Sequence, residues 1–223
     1  MWWTPWLWIF RIALPRIASD GARTLVVCRI RAGSIVTYGV AMLLLVAATD
    51  RELCGHEGLV CGVGPVEAAA ATARALALGE VRALVHVGIA GARGYDVGTL
   101  VVGSESVYCD VSARWPVIDR VDADPRLAAA ALAALPGAAR APIHTSAAVG
   151  GAGAAVPDGP LVEAMEGFGV LRAAALARVP AIEVRAISNE IGEDDRSRWA
   201  VGEALAALDH AIPLLAAADA SAR

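Results

Sequence analysis

LVCGVGPVEAAAATARALALGEVRALVHV, residues 59–87, sets two apolar runs on either side of an alanine-rich stretch. Leu59–Cys61 reads as a short strand running into the turn Gly62-Val63-Gly64. Pro65 then opens a helix that continues to about Leu78, since proline suits the first helical turn, where its missing N–H costs nothing. Ala83–Val87 follows as the next strand. Strand, helix and strand in that order predict a parallel pair joined by a crossover helix.

The same alternation continues in both directions. Upstream, Leu43–Ala47 reads as the first strand. Downstream come a strand at Thr99–Val107, a helix from Asp124-Pro125 through Leu135, and a strand at Pro142–Ser146. GGAGAAVPDGP, 150–160, is a loop by composition. A short strand near Val162–Met165, a helix from Gly167 to about Ala177, a strand at Ala181–Ile187 and a last helix from Trp199 to about Ala218 complete the chain. The predicted class is a single α/β domain with a mostly parallel sheet and no internal repeat.

Composition bounds the function. The chain has 223 residues, enough for one sizeable core. Its 57% hydrophobic content is largely alanine, and no unbroken apolar run reaches the ~18 residues of a membrane span. Net charge is −4, from 19 basic and 23 acidic residues without a basic cluster, which argues against a nucleic-acid partner. Cys28, Cys54, Cys61 and Cys109 have no CxxC spacing and read as reduced thiols of a cytoplasmic chain. His56, His86, His144 and His210 are scattered, so no metal site and no cofactor is predicted.

Residues 1–41 differ from the remainder. Four of the six tryptophans stand in MWWTPWLWIF, and Asp20 is the only acid before Met42. Pro5 and Arg11 interrupt what a signal peptide needs as a continuous apolar core. The reading is an atypical extension, from a misplaced start or as a membrane-surface anchor, ahead of a working domain at 42–223.

Polar or glycine-rich tails follow several strands: ATDRE at 48–52, HVGIAGARG at 86–94, EAMEG at 163–167 and RAISNE at 185–190. Ligand crevices of α/β proteins open at the carboxyl ends of strands, so these tails are predicted to converge on one rim. Gly88 and Gly91 would let backbone amides approach a ligand there. In the order LLLVAATDREL, CGVGPVEAA, VHVGIAGARG, SESVYCD, VEAMEGFG and VRAISNEIG, the chain resembles the purine nucleoside phosphorylase superfamily. Its resemblance is to the branch holding the methylthioadenosine/adenosylhomocysteine nucleosidases and, above all, the futalosine hydrolases.

That resemblance implies a twisted, partly closed mixed sheet, a homo-oligomer of two or more copies, and a small nucleoside as substrate. It implies hydrolysis of futalosine to hypoxanthine and dehypoxanthine futalosine during menaquinone synthesis. Glu52 matches the base that activates water, Glu166 the acceptor for the ribose hydroxyls, and Met165 the residue packed on the sugar. Ala90 and Gly91 match a glycine-rich loop near the ribose, Ser188 and Asn189 the base-binding end, and Phe168 is the candidate to stack on the purine. Asn189 stands where adenine-releasing relatives carry aspartate, and an amide can donate to a 6-oxo group while accepting from N7–H. Ile89 replaces a serine, and only nine residues separate Glu52 from Gly62, fewer than the family usually has. Arg93, Arg114 and Arg196 each offer a cation for the substrate's carboxylate. Phosphorolysis, adenine release and an inactive ligand-binding homologue are the competing readings; Arg51 keeps the first open.

Overall fold

The opening stretch folds as read. In the computed structural model, which describes residues 42–111, 114–148 and 159–221, it forms β2 (Leu59–Val60), α1 (Pro65–Leu78) and β3 (Val81–Arg93). β1 (Met42–Ala47) lies between β2 and β3 and is parallel to both. Then follow β4 (Leu100–Tyr108), β5 (Arg120–Asp122), α2 (Pro125–Ala134), β6 (Ala139–Thr145) and β7 (Leu161–Ala164). The chain continues through α3 (Gly167–Ala177), β8 (Ala181–Glu190), a 3-10 turn at Arg196–Arg198, and α4 (Val201–Ser221). Residues 1–41, and with them the reading of an extension, lie outside the described residues, as does most of the 150–160 loop.

One mixed sheet organises these elements. Its order is β2-β1-β3-β7-β6-β4-β5, and β8 pairs with both β3 and β4. β3, β7, β6, β4 and β8 therefore close into a ring, which is the partly closed sheet expected. β8 runs parallel to β3 but antiparallel to β4.

Strand alternation divides the core. Leu43 and Leu45 of β1, with Val85 and Val184, face Leu127 of α2 and Leu208 and Ile212 of α4. Leu44, Val46 and Leu84 face the other way, against Ala68 of α1 and Val170 and Leu171 of α3. Val101, Ile143, Val162 and Ile187 form a third cluster with residues of the closed ring.

Three features differ from the sequence reading. β3 runs on to Arg93 and β8 to Glu190, because the residues expected as loops pair with each other across the ring. β5 is a three-residue strand that carries no apolar run to mark it. Over Val201–Ala218, α4 is long and apolar enough to span a bilayer by length and composition, although Glu203 and Asp209 interrupt any apolar run. Its Ala204, Leu208, Ala211, Ile212 and Leu215 pack into the core.

Candidate active site

The strand tails converge on one cavity of about 430 Å³. Glu52, Ala90, Gly91, Met165, Glu166, Ser188 and Asn189 all line it, as the sequence order implied. Phe168 is the exception. It is half-buried and stacks on Tyr108, with ring centroids 5.2 Å apart, and is not among the lining residues. The first turn of α3 directs it there: its N–H donates to Thr145 Oγ1 at 2.8 Å, which fixes the helix start against β6.

Glu52 is 7% exposed and held from two sides. The backbone N–H and hydroxyl of Thr49 donate to Oε2 at 3.0 and 2.8 Å, and the Ile89 N–H donates to Oε1 at 3.1 Å. These contacts hold Glu52 in place despite the short 52–62 connection. Thr49 supplies the clamp locally, and β3 brings Ile89 alongside. Ile89 thus contributes its backbone N–H to the clamp. Oε2 accepts two hydrogen bonds and Oε1 one, so Oε1 keeps lone-pair capacity for a water.

Glu166, 4% exposed, sits where β7 passes into α3. Its Oε1 accepts from the Gly64 N–H at 3.1 Å and its Oε2 from Arg185 Nη2 at 3.4 Å. Arg185 is fully buried in the middle of β8. Its Nε donates to Glu183 Oε1 at 2.8 Å, and Nη2 approaches His86 Nε2 at 2.6 Å. His86 Nδ1 lies 3.0 Å from the Val46 carbonyl, which can only accept. Nδ1 therefore carries the proton and Nε2 accepts from the arginine.

The electrostatics agree with that assignment. Burial, reinforced by Arg185, drives the His86 pKa well below its ordinary value and keeps the ring neutral. Burial opposes the charge on Arg185, but the carboxylates of Glu183, Glu166 and Glu52 outweigh it and hold its pKa above the ordinary value. Burial raises the Glu183 pKa against the pull of Arg185. Cys61, beside this group, is pushed up to about 12 by burial and then by Glu166, so it remains a thiol.

Two glycines leave room for this network. A Cβ at Gly88 would collide with Arg185 Nη1 and with Glu52 Oε1, and one at Gly167 with the Glu183 carboxylate. Gly88 therefore serves the packing of charged side chains and not the approach of a ligand to its amide. Gly167→Ala is expected to lower stability by about 1–3 kcal/mol, because overpacking outweighs alanine's helix propensity. Denaturant titration measures this, and a stabilised variant would place Glu183 elsewhere.

Ala90 and Gly91 lie within β3 and not in a loop. Ala90 pairs with Ile187 and Gly91 with Asn189, so the β3–β8 register shifts by one residue at Ser188. Such a bulge re-aims side chains beside a site. Ser188 Oγ lies 2.7 Å from Asn189 Oδ1 and 3.2 Å from the Ala90 carbonyl. Asn189 Nδ2 donates to the Glu190 carbonyl at 3.0 Å. Ser188 and Asn189 thus belong to a strand, and the amide keeps one hydrogen and one lone pair for a ligand in the cavity.

The sequence profile described as the phosphorylase superfamily matches residues 54–221. The chain is 39% identical to the futalosine hydrolase of Streptomyces coelicolor, over 73% of this chain and 79% of that protein. The chain belongs to the phosphorylase superfamily, among its futalosine hydrolases. Among solved structures, a futalosine hydrolase mutant of Helicobacter pylori superposes with a TM-score of 0.70 at 15% identity, covering 79% of this chain and 98% of that one. An S-adenosylhomocysteine nucleosidase from Streptococcus pyogenes, in complex with 5-methylthiotubericidin, gives 0.67 at 21% identity, covering 80% and 97%. Both likenesses concern the fold. A member of this superfamily among the nucleosidases is an N-glycosidic hydrolase.

Sequence reasoning missed the inner layer of this futalosine hydrolase fold. Glu183 and Arg185 lie within a strand read as apolar, and His86 was taken as a scattered histidine. A signal was present, since charges at alternate positions of a central strand must be paired when buried. Thr49 and Trp199, also missed, line the cavity, where Thr49 clamps the carboxylate; Arg196, one of the three arginines the sequence offered, lines it too. Arg93 and Arg114 are not among the lining residues, and Arg93 Nε donates to the Gly159 carbonyl at 2.9 Å.

Proposed function

We propose that the protein hydrolyses the N-glycosidic bond of futalosine, releasing hypoxanthine and dehypoxanthine futalosine as a step of menaquinone synthesis. The observation that carries this reading is the free donor and acceptor on Asn189, which match the O6 and N7–H of a 6-oxopurine. An adenine would present an amino group to the amide's donor, leaving two donors opposed. Unpaired buried polar groups cost about 1–3 kcal/mol each.

The roles of the other residues follow from their geometry. Glu52 takes a proton from a water whose oxygen attacks C1′. The C1′–N9 bond breaks with its electron pair leaving on the purine, and Glu166 accepts from the ribose hydroxyls while positive charge builds on the sugar. Asn189 carries no acidic proton, so the proton that neutralises the purine comes from solvent and Asn189 accepts from N7–H. Met165 packs on the sugar. Phosphorolysis is disfavoured by the buried carboxylate of Glu52 at the position of attack, a like charge beside any phosphate.

Asn189→Asp tests the base-reading role. It is expected to lower kcat/KM for futalosine and raise it for 6-amino-6-deoxyfutalosine, changing their ratio by about 10- to 100-fold. Equal losses on both substrates would reduce Asn189 to a support for the bulge.

The same reading takes 42–223 as the working domain of a cytoplasmic homo-oligomer. Cys54, Cys61 and Cys109 are free thiols, which fits a reducing compartment. Trp115 and Ile118, 71% and 59% exposed, offer an apolar surface for self-association.

A further inference from the structure

The cavity extends past the residues assigned to purine, ribose and water. Beyond Asn189 its wall continues through Ile191, Arg196, Trp199, Val201 and Leu205. The Ala200 N–H donates to the Ser188 carbonyl at 2.8 Å, tying this segment to the base-reading bulge.

Two arginines in the segment are handled differently. Arg198 Nη1 pairs with Glu193 Oε2 at 3.1 Å. Arg196 lines the cavity, and among the described residues no carboxylate pairs with it. Its guanidinium lies over the Trp199 ring, 5.6 Å from the centroid. The indole is itself fixed, its Nε1–H donating to the Glu193 carbonyl at 3.0 Å, and Asp195 caps the turn through the N–H and hydroxyl of Ser197 at 2.9 and 2.7 Å. A guanidinium stacked on a fixed ring is preorganised for a planar carboxylate. Arg51, also exposed on the lining, is the other guanidinium facing this space.

We propose that Arg196, with the Trp199–Leu205 wall, forms a subsite for an aryl carboxylate at the 5′ end of the nucleoside. This rests on the futalosine reading, since futalosine carries a ketone-linked benzoate on that side of its ribose. The ring lies on Trp199, Val201 and Leu205, and the carboxylate meets Arg196. Of the three arginines left open by the sequence, Arg196 alone lines the cavity.

The test compares futalosine with its methyl ester, and separately titrates the fragment 3-propanoylbenzoate into the full chain. The wild type is expected to favour the acid over the ester by about tenfold or more in kcat/KM, as a charge-assisted pair commonly supplies. In Arg196→Gln that ratio should fall toward one, with Arg196→Lys intermediate. Fragment binding should weaken in Arg196→Gln and be insensitive to equimolar inorganic phosphate. Equal use of acid and ester by the wild type would overturn the subsite, as would an unchanged ratio in Arg196→Gln, transfer of the effect to Arg51→Gln, or displacement of the fragment by phosphate. If the wild type turns over neither compound, the futalosine reading fails, and Arg196-dependent fragment binding still decides the subsite.

Discussion

Glu52→Gln is expected to lower futalosine turnover by about 10²- to 10⁴-fold, the range that a positioned general base contributes. The amide keeps the carboxylate's shape but cannot take a proton from water. It also has one acceptor oxygen where Glu52 has two, and the Thr49 and Ile89 donors occupy both of those. Single-turnover hypoxanthine release gives the rate, and calorimetric titration of futalosine into the variant gives its affinity. Turnover within threefold of wild type would remove Glu52 from the chemistry.

The second large effect falls on stability. Arg185→Met is expected to destabilise the fold by about 3–5 kcal/mol, because it leaves Glu183 and Glu166 buried without their cation. For a domain of this size that corresponds to a fall in Tm of roughly 10 °C. Glu183→Gln added to Arg185→Met should recover part of the loss, since it removes one of the stranded charges. A single variant melting within about two degrees of wild type would mean that the arginine contributes little net stability, as some buried pairs do.

How legible all this was depended on what each residue contacts. Apolar runs, Pro65 and the alanine-rich helices carry local signals, and α1 and α3 begin and end where the sequence placed them. The strands β3 and β8 were cut short, because their glycines and polar residues read as loop until the two strands are seen to pair across the ring. That Glu52, Glu166 and Asn189 line one cavity was legible through their motifs. Glu183 and His86 were not, since each is explained only by Arg185, and the three meet on one sheet face from positions nearly a hundred residues apart. For Phe168 the sequence does not separate the two settings of a half-buried aromatic after a binding motif, and the structure stacks it on Tyr108, outside the lining residues.

The most direct measurement is hypoxanthine and adenine release by the wild-type protein, from futalosine and from 6-amino-6-deoxyfutalosine respectively, in phosphate-free buffer. Futalosine is expected to turn over without phosphate, with kcat/KM above that for the amino compound by at least about tenfold. A strict requirement for phosphate, or a preference for the amino compound, would contradict that expectation.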